Sequence, residues 1–213
     1  MNNNERLRRF PPFTIALIAL NVVAFLVQWW IENRTQFPLA QYGALSLSGL
    51  RRGYFWQLIT FQFLHGGWLH LLLNCWGIFV FGPPLEATLG RLRLGTLYLL
   101  SGLAGGALQV LASYFSYQRF GGPVVGASAG VFGLIAAFTT LFPEARMTLL
   151  LFFVIPLRMT ANRMLTLASV ITVVGVVFPN WLLGKHVAHV AHLGGLISGL
   201  IIVRLFMRRM PHY

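Results

Sequence analysis

The chain has 213 residues, of which 57% are hydrophobic and 9% are charged, and its formal net charge is +12. A soluble domain carries about a quarter charged residues, so this composition excludes an ordinary soluble globular protein. The basic residues form short groups between apolar runs rather than one stripe with interleaved aromatic residues, so the charge does not indicate nucleic-acid binding. One cysteine, Cys75, excludes a disulfide within the chain.

Several apolar segments approach the ~20 residues that a helix needs to cross a bilayer. Six spans are predicted, at 12–31, 68–83, 94–115, 126–142, 161–179 and 191–207. The first apolar run is too long for a cleaved signal peptide and is predicted to be retained. The connection 32–67 is predicted to be a structured loop lying against the membrane, and the short segment 147–157 to lie at the interface. The predicted fold is therefore an all-α polytopic membrane protein with six transmembrane helices.

Six spans place both termini on one side of the membrane. Eleven of the sixteen Lys and Arg residues then share that side, and such an excess indicates the cytoplasmic face. The sequence thus predicts a basic cytoplasmic N-terminus at 1–11, a six-span domain at 12–207 and a cytoplasmic tail at 208–213. The protein is expected to be a multi-pass protein of the cell membrane.

Polar side chains inside these spans are costly in lipid, which makes them functional candidates. With a rise of ~1.5 Å per residue, Ser128 lies about 21 Å from the cytoplasmic end of its span, and His70 and His192 lie about 18 Å from theirs. The three residues are therefore predicted at one depth. Asn74 follows His70 by four residues and shares its helical face.

The segment Gly126-Ala127-Ser128-Ala129-Gly130 has two interpretations. It fits a turn around a nucleophilic serine, or small residues that let two helices pack closely. The chain has no aspartate, and its four glutamates lie outside the predicted spans or close one of them, which disfavours a Ser-His-acid triad. The soluble α/β-hydrolase elbow is excluded because it needs a strand before the serine. A Ser-Lys pair would depend on Lys185, the only lysine, so a Ser128–His192 dyad remains.

Neighbouring residues could complete such a site. His70 and Asn74 can donate hydrogen bonds to an oxyanion, although the pair also fits an ordinary interhelical hydrogen bond. Ser128 near a helix N-terminus would add its backbone N–H. Phe132, one turn later, is predicted to stack on His192. These side chains together predict a hydrolytic site that needs a cavity within the membrane.

Glycines at four-residue spacing indicate closely packed helices. The spacing occurs at Gly102 and Gly106, and again at Ala191, Gly195 and Gly199. Close contact between the fourth and sixth spans would bring His192 to Ser128, so the same helix packing would also form the catalytic pair.

These motifs resemble those of the rhomboid intramembrane serine proteases. They are His70-Leu71-Leu72-Leu73-Asn74, Gly126-Ala127-Ser128, and Ala191-His192-Leu193-Gly194-Gly195 continuing to Gly199. Supporting matches are Trp56, Thr60, His65, Gly82, Glu86, Gly90 and Arg91. The resemblance covers about residues 12–207. It departs at Gln57, where the family often has arginine, and at Ala129, where it often has glycine.

The resemblance implies specific roles. Ser128 would be the nucleophile, His192 the general base and then acid, and His70, Asn74 and the Ser128 N–H the oxyanion hole. Supporting residues would be Gly126, Phe132, Gly195 and Gly199. Substrates would be single-span membrane proteins cleaved near the outer face, with the fifth span and residues 178–190 as the substrate gate. The partners are thus such substrates and the lipid bilayer, with no nucleic acid, no cofactor and no metal.

Two alternatives belong to other functional classes. A non-catalytic rhomboid-like protein that binds or escorts membrane helices would be expected to lack the serine or the histidine, and this chain has both. A small transporter or channel would be expected to show an internal repeat or ionisable residues deep in its spans. His186 and His189 lie beside the implied gate without an assigned role, and a metal site there would need more ligands.

Overall fold

The computed structural model describes residues 11–35, 37–151, 155–178 and 187–209. The described helices are α1 (Pro12–Thr35), α2 (Leu39–Gly43), α3 (Leu47–Arg51), α4 (Gln57–Thr60), α5 (Trp68–Leu89), α6 (Arg91–Phe115), α7 (Tyr117–Phe120), α8 (Ser128–Leu141), α9 (Ala161–Val177) and α10 (His189–Arg208). The described strands are β1 (Arg146–Leu151) and β2 (Ile155–Thr160).

The long helices confirm a polytopic membrane protein. Among the described residues, α1, α5, α6 and α10 are long and apolar enough to cross a bilayer. The apolar helices α8 and α9 are shorter, with 14 and 17 residues, and α8 spans only about 21 Å of a hydrocarbon core of ~30 Å. The count of six spans therefore stays a prediction. Residues 1–10 and 210–213 lie outside the described residues, so the cytoplasmic placement of both termini is also a prediction.

The expectation of an all-α fold is wrong at one place, because the described parts of the segment 147–157 belong to β1 and β2, which pair as antiparallel strands. The register pairs Met147 with Met159 and Thr148 with Arg158. Both methionines pack against the core, whereas Thr148 and Arg158 are exposed. This two-residue alternation is typical of a strand. Both strands of a two-stranded sheet are edge strands, so Pro156 lies where proline is tolerated.

Glycines allow α6, α8 and α10 to pack with their backbones in contact. A Cβ atom at Gly199 would lie 2.5 Å from the Gly133 carbonyl oxygen and 2.6 Å from its Cα. A Cβ at Gly194 would lie 2.7 Å from the Cα of Gly105. The predicted close approach of the fourth and sixth spans, α8 and α10, is therefore confirmed.

The other predicted glycine pair contacts the loop between α1 and α5 rather than a helix. A Cβ at Gly106 would lie 2.6 Å from Leu45 Cδ2 and 2.8 Å from Phe61 Cζ, and Gly102 faces the side chain of Gln62. Through these contacts the loop packs against α6. The loop is structured, as predicted, since it contains α2, α3 and α4.

Gln57, a departure from the family pattern, anchors this loop. Its side chain is fully buried, its Nε2 donates to the Tyr42 carbonyl at 3.0 Å, and its Oε1 accepts from Ser46 N at 3.2 Å. Trp56 Nε1 donates to the same Tyr42 carbonyl at 3.0 Å. A neutral glutamine therefore supplies both a donor and an acceptor to the loop backbone.

Candidate active site

The segment before α8 holds Ser128 at the start of its helix. Leu45 and Val124 form an isolated antiparallel bridge, and Gly126 N donates to the Phe61 carbonyl at 2.8 Å. Gly126 has a φ of +122°, a conformation that favours glycine. Irregular backbone is tolerated inside a membrane when its polar groups are bonded to protein, and the N–H groups of Val124 and Gly126 are bonded in this way. Ser128 is the first residue of α8, which agrees with the prediction that it lies near a helix N-terminus.

Ser128 and His192 lie in hydrogen-bond contact. Ser128 Oγ is 2.8 Å from His192 Nε2, and both side chains are half-buried. The contact joins the first residue of α8 to the first turn of α10. A Cβ at Gly195 would overlap the Ala129 backbone, so glycine at this position lets α10 approach α8 at the residue that follows Ser128.

Phe132 stacks on the His192 ring. The ring centroids are 4.3 Å apart and the planes differ by 8°. Phe132 follows Ser128 by four residues on α8, so the same helix face that presents the hydroxyl also presents the ring. The stacking restricts the orientation of the imidazole through packing alone.

His70 and Asn74, both on α5, lie close to Gly126. A Cβ at Gly126 would be 2.6 Å from both Cε1 and Nε2 of His70, and 3.6 Å from Asn74 Nδ2. Asn74 is buried, and its Nδ2 donates one hydrogen bond to the His70 carbonyl at 2.9 Å. A primary amide carries two N–H donors, which leaves Asn74 a second N–H beside Gly126.

The three glutamates that the structure describes are engaged or located elsewhere. Glu86 accepts from Phe13 N at 3.0 Å and Thr14 N at 2.8 Å, at the start of α1. Glu32 of α1 accepts from Ala40 N of α2 at 2.8 Å, and Glu144 is exposed beyond the far end of α8. Within this part of the chain, Phe132 rather than a carboxylate contacts the His192 ring.

His189 occupies a position that the sequence interpretation does not explain. Its ring is buried against Gly175 of α9 and lies edge-on to His192, with centroids 6.0 Å apart. The sequence could have indicated this neighbour of His192, because residues at i and i+3 share a helix face and His189 precedes His192 by three residues. His189 thus links α9 to the helix that carries His192. His186 lies outside the described residues.

A cavity of about 290 Å³ adjoins this group of residues. Gly122 and Val124 line one side, Val176 lines another, and Val187 and His189 line the start of α10. The cavity therefore lies between the segment that leads to Ser128 and the helix that carries His192. Ser128 and His192 are not among its lining residues, so it lies beside the dyad, and a cavity at the serine itself stays a prediction. The part of the implied gate at 179–186 lies outside the described residues.

His65, in the loop before α5, is a buried neighbour of His70. Their ring centroids are 5.3 Å apart, and the planes are close to perpendicular. Burial and, to a smaller extent, the charge of a protonated His70 lower the pKa of His65 to about 4, while the hydrogen bond with the Phe63 carbonyl partly opposes them. His65 is therefore neutral at neutral pH.

Comparison with known proteins identifies the family. The Rhomboid domain model matches residues 52–209. The chain is 33% identical to "RHOMBOID-like protein 1" of Arabidopsis thaliana, over 96% of this chain and 55% of that protein. It is 31% identical to "Putative rhomboid protease YdcA" of Bacillus subtilis (strain 168), over 64% of this chain and 65% of that protein. The alignments thus span less than two thirds of either relative. The chain belongs to the rhomboid family.

Proposed function

We propose that the protein is an intramembrane serine endopeptidase that cleaves single-span membrane proteins near the outer face of the cell membrane. The observation that carries this proposal is the 2.8 Å separation between Ser128 Oγ and His192 Nε2. A hydroxyl needs an adjacent base to become a nucleophile, and histidine is the usual one. The relative from Bacillus subtilis has a name that refers to a rhomboid protease, which agrees with the proposal.

The chemistry follows from this pair. The neutral Nε2 of His192 takes the Oγ proton as Ser128 attacks the scissile carbonyl carbon, and the imidazolium then gives that proton to the leaving amine. Water, deprotonated by His192, hydrolyses the acyl-enzyme and releases Ser128. Phe132 holds the imidazole ring in place, a task that a carboxylate performs in Ser-His-Asp triads.

The developing oxyanion would be bound by three donors around Gly126. These are the second N–H of Asn74, the Nε2–H of His70 and the backbone N–H of Ser128. The N-terminus of α8 adds the positive end of the helix dipole. Loss of one oxyanion donor typically costs ~100–1000-fold in kcat.

The location of the site determines the class of substrate. Ser128 begins a 14-residue helix, which rises about 21 Å, and this length supports a serine part-way through a hydrocarbon core of ~30 Å. A scissile bond must leave its helical conformation to reach the serine, and a single transmembrane helix can unwind near the outer surface without disrupting a folded domain. α9 together with residues 178–190 forms the proposed route of entry. A relative that only escorts membrane helices would not need the Ser128–His192 contact.

A cleavage assay in proteoliposomes tests the proposal. Wild-type protein is expected to cut a single-span test substrate, while Ser128→Ala and His192→Ala abolish cleavage. Ser198→Ala is the matched control, since Ser198 Oγ donates to the Gly194 and Gly195 carbonyls of its own helix, away from the dyad. Cleavage by Ser128→Ala at the wild-type rate would overturn the proposal.

A further inference from the structure

A buried glutamine on α1 binds the loop that precedes α5. Gln28 Nε2 donates to the His65 carbonyl at 3.1 Å, and Gln28 Oε1 accepts from His65 N at 3.0 Å. Both residues are buried. A polar side chain in a membrane helix is costly unless it is paired, so this double contact indicates a specific task for Gln28.

Further contacts hold the same region of α1 and the loop together. The Phe25 ring lies edge-on to His65, with centroids 6.2 Å apart, and to Trp68, with centroids 4.9 Å apart. Gln28 Nε2 is also 3.4 Å from Glu32 Oε2, and Glu32 Oε1 accepts from Ala40 N at 2.8 Å. The amide of Gln28 is thus held in the orientation that fits the His65 backbone.

The loop held by Gln28 continues directly to His70. Gly66 N, adjacent to His65, donates to His70 Nδ1 at 3.4 Å. A neutral imidazole that accepts a hydrogen bond at Nδ1 carries its proton on Nε2. Nε2 and the adjacent Cε1 are the atoms of His70 that face Gly126, and Nε2 is the one that can carry a proton for donation. The Gly66 N–H therefore favours the His70 tautomer whose Nε2–H can donate a hydrogen bond towards the serine.

We propose that Gln28 is a positioning residue for the oxyanion hole. It holds the backbone of His65 and Gly66 so that the Gly66 N–H keeps the His70 proton on Nε2, directed at the reacting carbonyl oxygen. This inference rests on the proposed function, because the donor matters only where an oxyanion forms. Gln28 itself touches no substrate and acts at a distance through the loop.

Kinetics separate this role from a contribution to folding alone. Gln28→Leu removes both hydrogen bonds and is expected to lower kcat about 10- to 100-fold with KM unchanged within about twofold. In a His70→Ala background the same change should have no further effect on kcat. Asn21→Leu is the matched control: Asn21 is also buried on α1, but its Nδ2 bonds the Leu17 carbonyl of its own helix. In the double variant Asn21→Leu with His70→Ala, the fold-loss of kcat is expected to equal the product of the two single losses.

The substitution Gln28→Glu provides a second kinetic test. A protonated carboxyl group on this side chain could still donate to the His65 carbonyl and accept from His65 N, whereas the ionised carboxylate can only accept. The kcat of Gln28→Glu, divided by that of wild type at the same pH, is therefore expected to rise as pH falls. A contribution from packing alone would leave this ratio constant.

The tautomer of His70 can be measured without activity. Nitrogen-15 shifts of the His70 ring in Ser128→Ala protein are expected to show the proton on Nε2, with a shift towards the Nδ1–H form when Gln28→Leu is added to Ser128→Ala. An unchanged tautomer together with multiplicative kcat effects of Gln28→Leu and His70→Ala would overturn the inference. Failure of the protease proposal would instead appear as inactive wild-type protein, and the ring shifts would then test only whether Gln28 controls the His70 tautomer.

Discussion

The contact between Gly199 and Gly133 determines how closely α10 approaches α8, and Gly199→Ala perturbs it directly. The new Cβ would lie 2.5 Å from the Gly133 carbonyl oxygen and 2.6 Å from Gly133 Cα, both of them backbone atoms. Favourable contact needs about 3.5 Å, so the helices must separate locally by about 1 Å. Since these two helices carry Ser128 and His192, a separation of that size would lengthen their 2.8 Å contact beyond hydrogen-bond range.

We expect Gly199→Ala to lower kcat by about 100-fold, the usual cost of a 1 Å misplacement of a catalytic group. The assay is cleavage of a single-span substrate in proteoliposomes, with thermal unfolding measured on the same samples. Ser198→Ala, at the adjacent position on α10, is expected to retain the wild-type kcat. A folded Gly199→Ala protein with wild-type kcat would refute the reasoning that helix approach sets the dyad distance.

Three further predictions concern other residues. Asn74→Ala is expected to slow kcat about 10- to 1000-fold through loss of an oxyanion donor, and an unchanged rate would remove that role. Phe132→Leu should lower kcat more than Phe132→Tyr in the same cleavage assay, because only the aromatic replacement preserves stacking on His192. The folded-state pKa of His65 is about 4, below the ordinary 6.5, so the unfolded chain binds the extra proton and stability falls as pH drops from about 6.5 to 4. His65→Gln should flatten this slope in thermal unfolding against pH, and an unaltered slope would contradict the assignment.

The meeting of Ser128 and His192 is predictable because two independent patterns agree on it. Helical rise sets both residues at one depth, and small residues at four-residue spacing allow the helices that carry them to touch. The stacking of Phe132 on His192 follows from its position one turn after Ser128. These features depend on regular helix geometry, which sequence spacing encodes directly.

Other features depend on chain paths that spacing does not encode. Gln28 and His65 are 37 residues apart, and their contact requires a particular course of the intervening loop. Gln57 likewise reaches Tyr42 and Ser46 only after the loop folds back on itself. The apolar run at 147–157 does not predict paired strands, because its exposed polar residues lie only near the start of the run, at Thr148, and just after its end, at Arg158.

We infer above all that His192 makes the Ser128 hydroxyl nucleophilic within the membrane. Labelling by a serine-directed fluorophosphonate probe tests it most directly, because the reaction needs no knowledge of the natural substrate. We expect covalent labelling of wild-type protein at Ser128, far slower labelling of His192→Ala and none of Ser128→Ala. Equal labelling of wild type and Ser128→Ala, or wild-type protein that stays folded yet unlabelled, would contradict it.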